Sequence, residues 1–149
     1  MAQLHAEADL WVAAPPRDIY ARLADYRQQH SHVLPSAYHE YTVESGGQGA
    51  GTIVSWVLHV GNHRRPYRMQ VSEPQAGELL VEQDTNSSFR NEWRVLAEGS
   101  GTRVRLSTTW EQRSHGFPAI FERLFAPRSL SRLHQETLRR LAAEVTASS

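Results

Sequence analysis

Apolar and polar residues alternate from residue 3 to residue 12, with Leu4, Ala6, Ala8, Leu10 and Val12 on one side and His5, Glu7 and Asp9 on the other. That period of two predicts a half-buried strand. Pro15 and Pro16 cannot continue a ladder but suit a helix start. Asp18 complements the dipole of the first turn, and Ile19, Tyr20 and Leu23 supply a short apolar face. Residues 27–34 predict a second short helix, ended by Pro35. Between Tyr38 and Trp110 the pattern predicts six more strands, over 38–45, 51–60, 65–73, 78–84, 88–97 and 102–110. The separators are GGQGAG, the turn at Gly61 to His63, PQAG, the region of Asn86 and EGSG, all of hairpin length.

Short connections make these strands antiparallel neighbours, because parallel neighbours need crossovers of about a dozen residues or more. Parity separates two faces. The apolar one collects Tyr67, Met69 and Val71, then Leu79, Val81 and Gln83, then Phe89, Asn91, Trp93 and Val95, then Val104, Leu106, Thr108 and Trp110. The other carries Arg64 and Arg68, Glu78, Glu82 and Asp84, Arg90, Glu92 and Arg94, then Arg103 and Arg105, so the sign of charge alternates between strands. Cross-strand ion pairs on a wet face follow. In the strand at 51–60, Trp56, Leu58 and Val60 compete with Ile53 and Val57 for the inward side.

The last third of the chain reads as one amphipathic helix, Pro127 to Val145. At about 100° per residue, Leu130, Leu133, Leu138, Leu141 and Val145 share a face with His134 and Thr137, and Arg132, Gln135, Glu136 and Arg139 lie opposite. Ahead of it, Phe117 to Phe125 reads as a short, very apolar helix, a candidate lid. The fold class is therefore α+β: a seven-stranded curved antiparallel sheet, in the order β-α-α-β6-α, wrapped around a long C-terminal helix within one domain spanning 1–149. One helix about 10 Å across does not fill the concavity of a strongly bent sheet, so a cavity between the two is expected.

Composition sharpens this picture mostly by exclusion. Sixteen basic residues balance 16 acidic ones, so no global field gathers nucleic acid or an anionic membrane. There is no Cys, which removes disulfides, thiolate nucleophiles and thiolate metal sites. No segment approaches the ~20 apolar residues of a membrane span. The start, with Glu7 and Asp9, lacks the basic and apolar regions of a signal peptide, so a cytoplasmic protein is expected.

The motifs that invite catalysis or cofactors read more plainly as structure. GGQGAG leads into the strand TIVSWVLHV rather than into a helix whose N-terminus would hold phosphate, so it is a hairpin with positive-φ glycines. The eight histidines include the pairs His30/His32 and His59/His63, neither completed by a carboxylate at ligand spacing, and no metal or cofactor is expected. His30, His32, His39, His63 and His115 read as solvated loop residues. No serine sits in a nucleophile elbow. In HRRPYR, His63 to Arg68, Tyr67 points away from Arg64 and Arg68, which argues against nucleic-acid stacking.

His134 reads in two ways, as a core histidine bonded to a backbone carbonyl or as a ligand contact. Together with Thr137 and the inward Asn91, Gln83, Thr108 and Tyr67 it would orient a ligand held by an apolar wall of Tyr67, Met69, Phe89, Trp93, Trp110 and Phe121. His134 and Tyr67 are the candidate proton carriers should the site be catalytic.

The order of elements and four strings, APPRDIYARLADY (Ala14 to Tyr26), GGQGAGTIVSW (Gly46 to Trp56), NEWRVLAEGSGTRVRLS (Asn91 to Ser107) and LSRLHQETLRRLAAEV (Leu130 to Val145), resemble the START-like, Bet v 1-like superfamily, in particular its polyketide cyclase/dehydrase-related branch. The resemblance implies a helix-grip fold with its ligand between sheet and long helix. It transfers no catalytic residue. The functions to test are a carrier or sensor of a small hydrophobic molecule (lipid-like, aromatic or polyketide-like), a polyketide cyclase, aromatase or dehydratase using the same cavity, and a protein-interaction module whose cavity is only structural.

Overall fold

The computed structural model describes residues 3–60, 62–112 and 117–147, without the side chains of His63 and of residues 117–125. Strand β1 (Gln3–Val12) leads into helix α1 (Pro16–Ala24) and a 3-10 turn (His30–Val33). Six strands follow, β2 (Tyr38–Ser45), β3 (Ile53–Val60), β4 (His63–Gln75), β5 (Leu79–Asp84), β6 (Arg90–Glu98) and β7 (Gly101–Glu111), and then helix α2 (Phe117–Ala147). All seven strands form one antiparallel sheet in the order β1-β7-β6-β5-β4-β3-β2. Strands β1 and β2, joined through α1, thus lie at opposite edges, while every later strand pairs with its predecessor through a hairpin.

Two expected helices take a different form. The second short helix, expected over 27–34, is only the 3-10 turn His30–Val33. It is organised by buried Asp25: the Asp25 carbonyl accepts from the Gln29 and His30 backbone, and the carboxylate accepts from the Gln28 backbone and the side chains of Gln29 and Gln48. Capture of the Gln28 N–H by the carboxylate gives this segment a local alternative to a continued α-helix. The separate helix expected over 117–125 is the first part of α2, which runs on through Pro127. Proline deprives the helix of one N–H but need not stop it when packing holds the remaining turns. The lid role assigned to Phe117 to Phe125 concerns side chains outside the described residues.

The sheet bends at irregularities in pairing. Register shifts interrupt β2 against β3 between His39 and Thr42 and between Val43 and Ser45, and β4 against β5 between Ser72 and Gln75. Glu40, inside the first, has φ 54°. Such bulges add a residue to one strand and curve the sheet. The glycine hairpin behaves as expected: Gly46, Gly47, Gly49 and Gly51 all have positive φ. At Gly49 the conformation is joined by a close approach, since a Cβ there would meet the Glu73 carboxylate. Glu73 Oε1 accepts from the Ala50 backbone at 2.7 Å and Oε2 from the Tyr20 hydroxyl at 2.7 Å, tying hairpin, β4 and α1 together.

The core lies between the concave face and α2. Parity holds for β1, β4, β6 and β7: Leu4, Ala6, Met69, Val71, Trp93, Val95, Val104 and Leu106 are buried. In β3 the open choice falls to Val54, Trp56 and Leu58, while Ile53, Ser55 and Val57 are half-buried. Strand β5 reverses the expectation. Leu80, Glu82 and Asp84 share the inner face with Trp93, Asn91 and Met69 as their cross-strand partners, and Gln83 pairs with outward Arg90. A change of parity moves every side chain of a strand to the other face. On α2, Leu130, His134, Thr137, Leu138, Leu141 and Val145 are buried as predicted.

The outer face carries ion pairs with partly different partners from those expected. Arg64 and Arg68 of β4 reach across β3 to Glu40 and Glu44 of β2 at 2.9 and 3.0 Å. Arg103 of β7 meets Asp9 of β1 and Glu98 of β6 at 3.1 and 2.7 Å, and Arg105 meets Glu7 at 3.7 Å. These are exposed pairs, worth ~0–1 kcal/mol each.

Candidate functional site

Three neighbouring strands place a polar side chain on the inner face at the same level. Thr108 of β7 stands directly opposite Asn91 of β6, which stands opposite Glu82 of β5, among the apolar Leu106, Trp110, Trp93, Phe89 and Leu80. All three polar residues are 4 % exposed or less. Thr108 Oγ1 donates to Asn91 Oδ1 at 2.6 Å, and Asn91 Nδ2 donates to Glu82 Oε1 at 3.0 Å.

Helical elements close both ends of this row. From α2, His134 Nε2 lies 2.6 Å from Thr108 Oγ1. From the segment after α1, the Tyr26 hydroxyl donates to Glu82 Oε2 at 2.6 Å, and His30 Nε2 stands 3.3 Å from the same oxygen. His30 Nδ1 meets the Leu23 carbonyl at 2.7 Å, and the ring stacks on Tyr26 with centroids 4.2 Å apart. A buried polar chain therefore runs from His134 through Thr108, Asn91 and Glu82 to Tyr26 and His30, spanning the interior from α2 to the α1 side.

Desolvation governs its protonation. Burial pushes His134 down to about 3, helped by the positive field of His5. Burial also lowers His30, against the opposing field of Glu82, and it raises the Tyr26 phenol well above its ordinary value, reinforced by Glu82. His134 is thus a neutral imidazole at neutral pH, with a single N–H to place.

Beside this row lies an aromatic surface. The Tyr67 and Phe89 rings are 4.3 Å apart and Phe89 and Trp110 are 6.0 Å apart, while Trp56 packs with Tyr38 and Tyr41 at 5.6 and 6.4 Å. Tyr67, Phe89 and Trp110 are 6–8 % exposed, and Met69 is fully buried. The interior also holds buried polar atoms that make no hydrogen bond: Trp56 Nε1, Trp93 Nε1, His30 Nε2 and His134 Nδ1. Among the described residues no group of three His, Asp or Glu side chains is arranged to hold a metal ion.

Most of the residues expected at the site do gather on this interior face: Tyr67, Met69, Phe89, Asn91, Trp93, Thr108, Trp110, His134 and Thr137 are all buried. Thr137 differs from the role expected of it, because its hydroxyl donates to the Leu133 carbonyl of its own helix at 2.8 Å. Gln83 is a correction. It is half-buried on the outward parity, and its amide donates to the carbonyls of Asp84, Ser87 and Phe89, which fastens the β5–β6 turn. The Phe121 side chain lies outside the described residues. Glu82, Tyr26 and His30 are the interior residues that sequence reasoning missed or misplaced; Glu82 was expected outside and His30 in solvent, yet they are 2 % and 1 % exposed.

An open depression of about 390 Å³ lies over β2, β3 and β4, lined by Glu40, Glu44, Arg68 and Asn86 and also by Trp56 and Tyr67. Its charged residues Glu40, Glu44 and Arg68 are already engaged in the outer-face ion pairs. The chemistry gathered inside the sheet is therefore the stronger candidate site.

Comparison with known proteins gives a consistent picture. A family model described as polyketide cyclase / dehydrase and lipid transport matches residues 3–146. The solution structure of the KanY protein is 34% identical, with 98% of this chain and 99% of that one covered and a TM-score of 0.86. The Zhui aromatase/cyclase from Streptomyces sp. R1128 is 16% identical, with 96% and 93% covered and a TM-score of 0.75. Norcoclaurine synthase from Thalictrum flavum, in complex with dopamine and hydroxybenzaldehyde, is 17% identical, with 99% and 89% covered and a TM-score of 0.72. At such identities the last two show a shared fold. No curated protein matches the sequence.

Proposed function

Because the chain belongs to the polyketide cyclase / dehydrase and lipid transport family, within the START-like, Bet v 1-like superfamily, we propose that it binds a small hydrophobic molecule between the concave sheet and α2, as a carrier or sensor. The observation that carries this reading is the set of unpartnered polar atoms in an otherwise apolar interior, Trp56 Nε1, Trp93 Nε1 and His134 Nδ1. Each buried group without a partner costs ~1–3 kcal/mol, a cost that a bound molecule with matching groups removes. The aromatic surface of Tyr67, Phe89 and Trp110 supplies flat apolar contact, and hydrophobic burial would provide most of the affinity.

The cyclase or dehydratase reading uses the same interior but asks more of it. A general base works best with a pKa near the operating pH, and burial holds His134 at about 3. That favours binding over proton transfer by this residue. Native mass spectrometry of freshly purified protein, followed by titration with naphthalene-sized aromatic probes read by tryptophan fluorescence, tests the proposal. Saturable one-to-one binding that weakens several-fold in Phe89→Ala supports it. Absence of any adduct and of any saturable quenching overturns it.

A further inference from the structure

The buried chain has a direction, and that direction decides what the His134 ring presents to the interior. His30 Nδ1 is 2.7 Å from the Leu23 carbonyl, which can only accept, so Nδ1 carries a proton. Nε2 of the same ring faces Glu82 Oε2 at 3.3 Å, and the Tyr26 hydroxyl occupies that oxygen from another side. His30 Nε2 makes no hydrogen bond of its own, so Oε2 is engaged by the Tyr26 hydroxyl. The other oxygen, Glu82 Oε1, faces Asn91 and accepts from it. Asn91 therefore turns its amide nitrogen to Glu82 and its oxygen to Thr108, as its distances of 3.0 and 2.6 Å require. Thr108 spends its only proton on Asn91 Oδ1, so toward His134, 2.6 Å away, it can only accept. The imidazole must then hold its proton on Nε2. Nδ1 is left as a bare lone pair on a side chain 1 % exposed and without a hydrogen-bond partner.

Resting on the interior-site reading above, we propose that this lone pair is the polar determinant of the ligand. The site takes an apolar, aromatic-sized molecule bearing a hydroxyl, a phenol or an enol, whose O–H donates to His134 Nδ1. Glu82, Asn91 and Thr108 act as positioning residues that fix the tautomer from behind the ring. A ketone or an ether at the same place would oppose lone pair to lone pair and gain nothing. A ligand that donates satisfies an acceptor already desolvated by the fold, so the hydrogen bond is made without the usual loss of a water contact on the protein side.

Two measurements on the full chain test this separately. Long-range proton–nitrogen correlation spectra of ¹⁵N-labelled protein read the tautomer without any ligand. The expected result is a pyridine-type Nδ1 and a pyrrole-type Nε2 for His134 in the wild type, retained in Glu82→Gln, whose carbonyl can still accept from Asn91, and lost in Thr108→Val. A pyrrole-type Nδ1 in the wild type overturns the assignment, and this spectrum decides it even if Thr108→Val fails to fold. The second measurement compares 2-naphthol, 2-methoxynaphthalene and naphthalene. Binding of 2-naphthol about ten-fold tighter than either analogue, with the preference abolished in His134→Phe while naphthalene still binds, supports the ligand assignment. Equal affinity for all three means that the interior site exists and the hydroxyl selectivity does not. Failure of all three to bind overturns the interior-site reading itself and the ligand assignment with it, and leaves the tautomer to be decided by the spectrum.

Discussion

Glu82 and Asn91 face each other across β5 and β6, the carboxylate Oε1 accepting from the amide nitrogen at 3.0 Å with both residues 4 % exposed or less. Among the described residues no arginine pairs with this carboxylate; its other contacts are the Tyr26 hydroxyl and the ring of His30. A buried acid held this way is costly to disturb, because the groups around it have been desolvated for its sake.

Replacing Glu82 with Ala strands the Tyr26 hydroxyl and the Asn91 amide together. The expected loss is about 3–5 kcal/mol of folding stability, read as a lower urea midpoint. Glu82→Gln, which keeps the shape and one acceptor, should cost much less. A midpoint for Glu82→Ala equal to the wild type would refute the network.

Acid should destabilise the fold through His134. Burial pushes its folded-state pKa from 6.5 down to about 3, so between those values the unfolded chain takes a proton that the folded chain refuses. Stability is complete above about pH 6.5 and falls as pH drops toward 3, by up to about 1.4 kcal/mol per pH unit from this residue. His30, also lowered by burial, adds in the same direction. Denaturation midpoints from pH 7 to pH 4 should show the decline, and His134→Phe should flatten it.

Gly49→Ala tests the hairpin. At φ 54° a side chain costs about 1–2 kcal/mol in backbone strain alone, and its Cβ would displace the Glu73 carboxylate from Ala50 and Tyr20. A fall in Tm of roughly 4–8 °C is expected, whereas Gly77→Ala, also at positive φ but with open space around its Cβ, should cost less.

Pro127→Ala should stabilise the isolated protein. It restores an N–H to the interior of α2, a gain of about 2 kcal/mol after allowing for the looser unfolded chain. Calorimetry would show a higher Tm. A lower one would mean that the proline's ring makes packing contacts worth more than the hydrogen bond.

Much of the architecture was legible in the alternation of residues. Strands β1, β6 and β7 show clean period-two patterns, and the α2 stripe from Leu130 to Val145 carries His134 inward as read. The failure at β5 has a physical cause. Leu79, Leu80 and Val81 form a continuous apolar run, so parity had to be chosen, and keeping carboxylates out of the core chose the wrong one. The usable signal lay in the next turn. The Asp84 backbone donates to the Phe89 carbonyl at 2.9 Å across a short loop, and an inward Phe89 brings Asp84, Glu82 and Leu80 inward with it. His30 was missed for a related reason, since its burial depends on a carboxylate from a distant strand that local pattern could not supply.

The sheet order also sets a timetable. Strand β1 finds its partner only in β7, Gln3 against Glu111, so during synthesis β1 must wait for the last strand of the sheet before its backbone is satisfied. At ~5–20 residues per second that interval is on the order of 5–20 s. The cradle built from β2 to β7 can assemble by successive local hairpins in the meantime, but its far rim stays an open edge until β1 returns to it. Pairing of β7 with β1 is a late, long-range event, and until then β7 is the strand of a nascent chain of this kind most exposed to pairing with a neighbour.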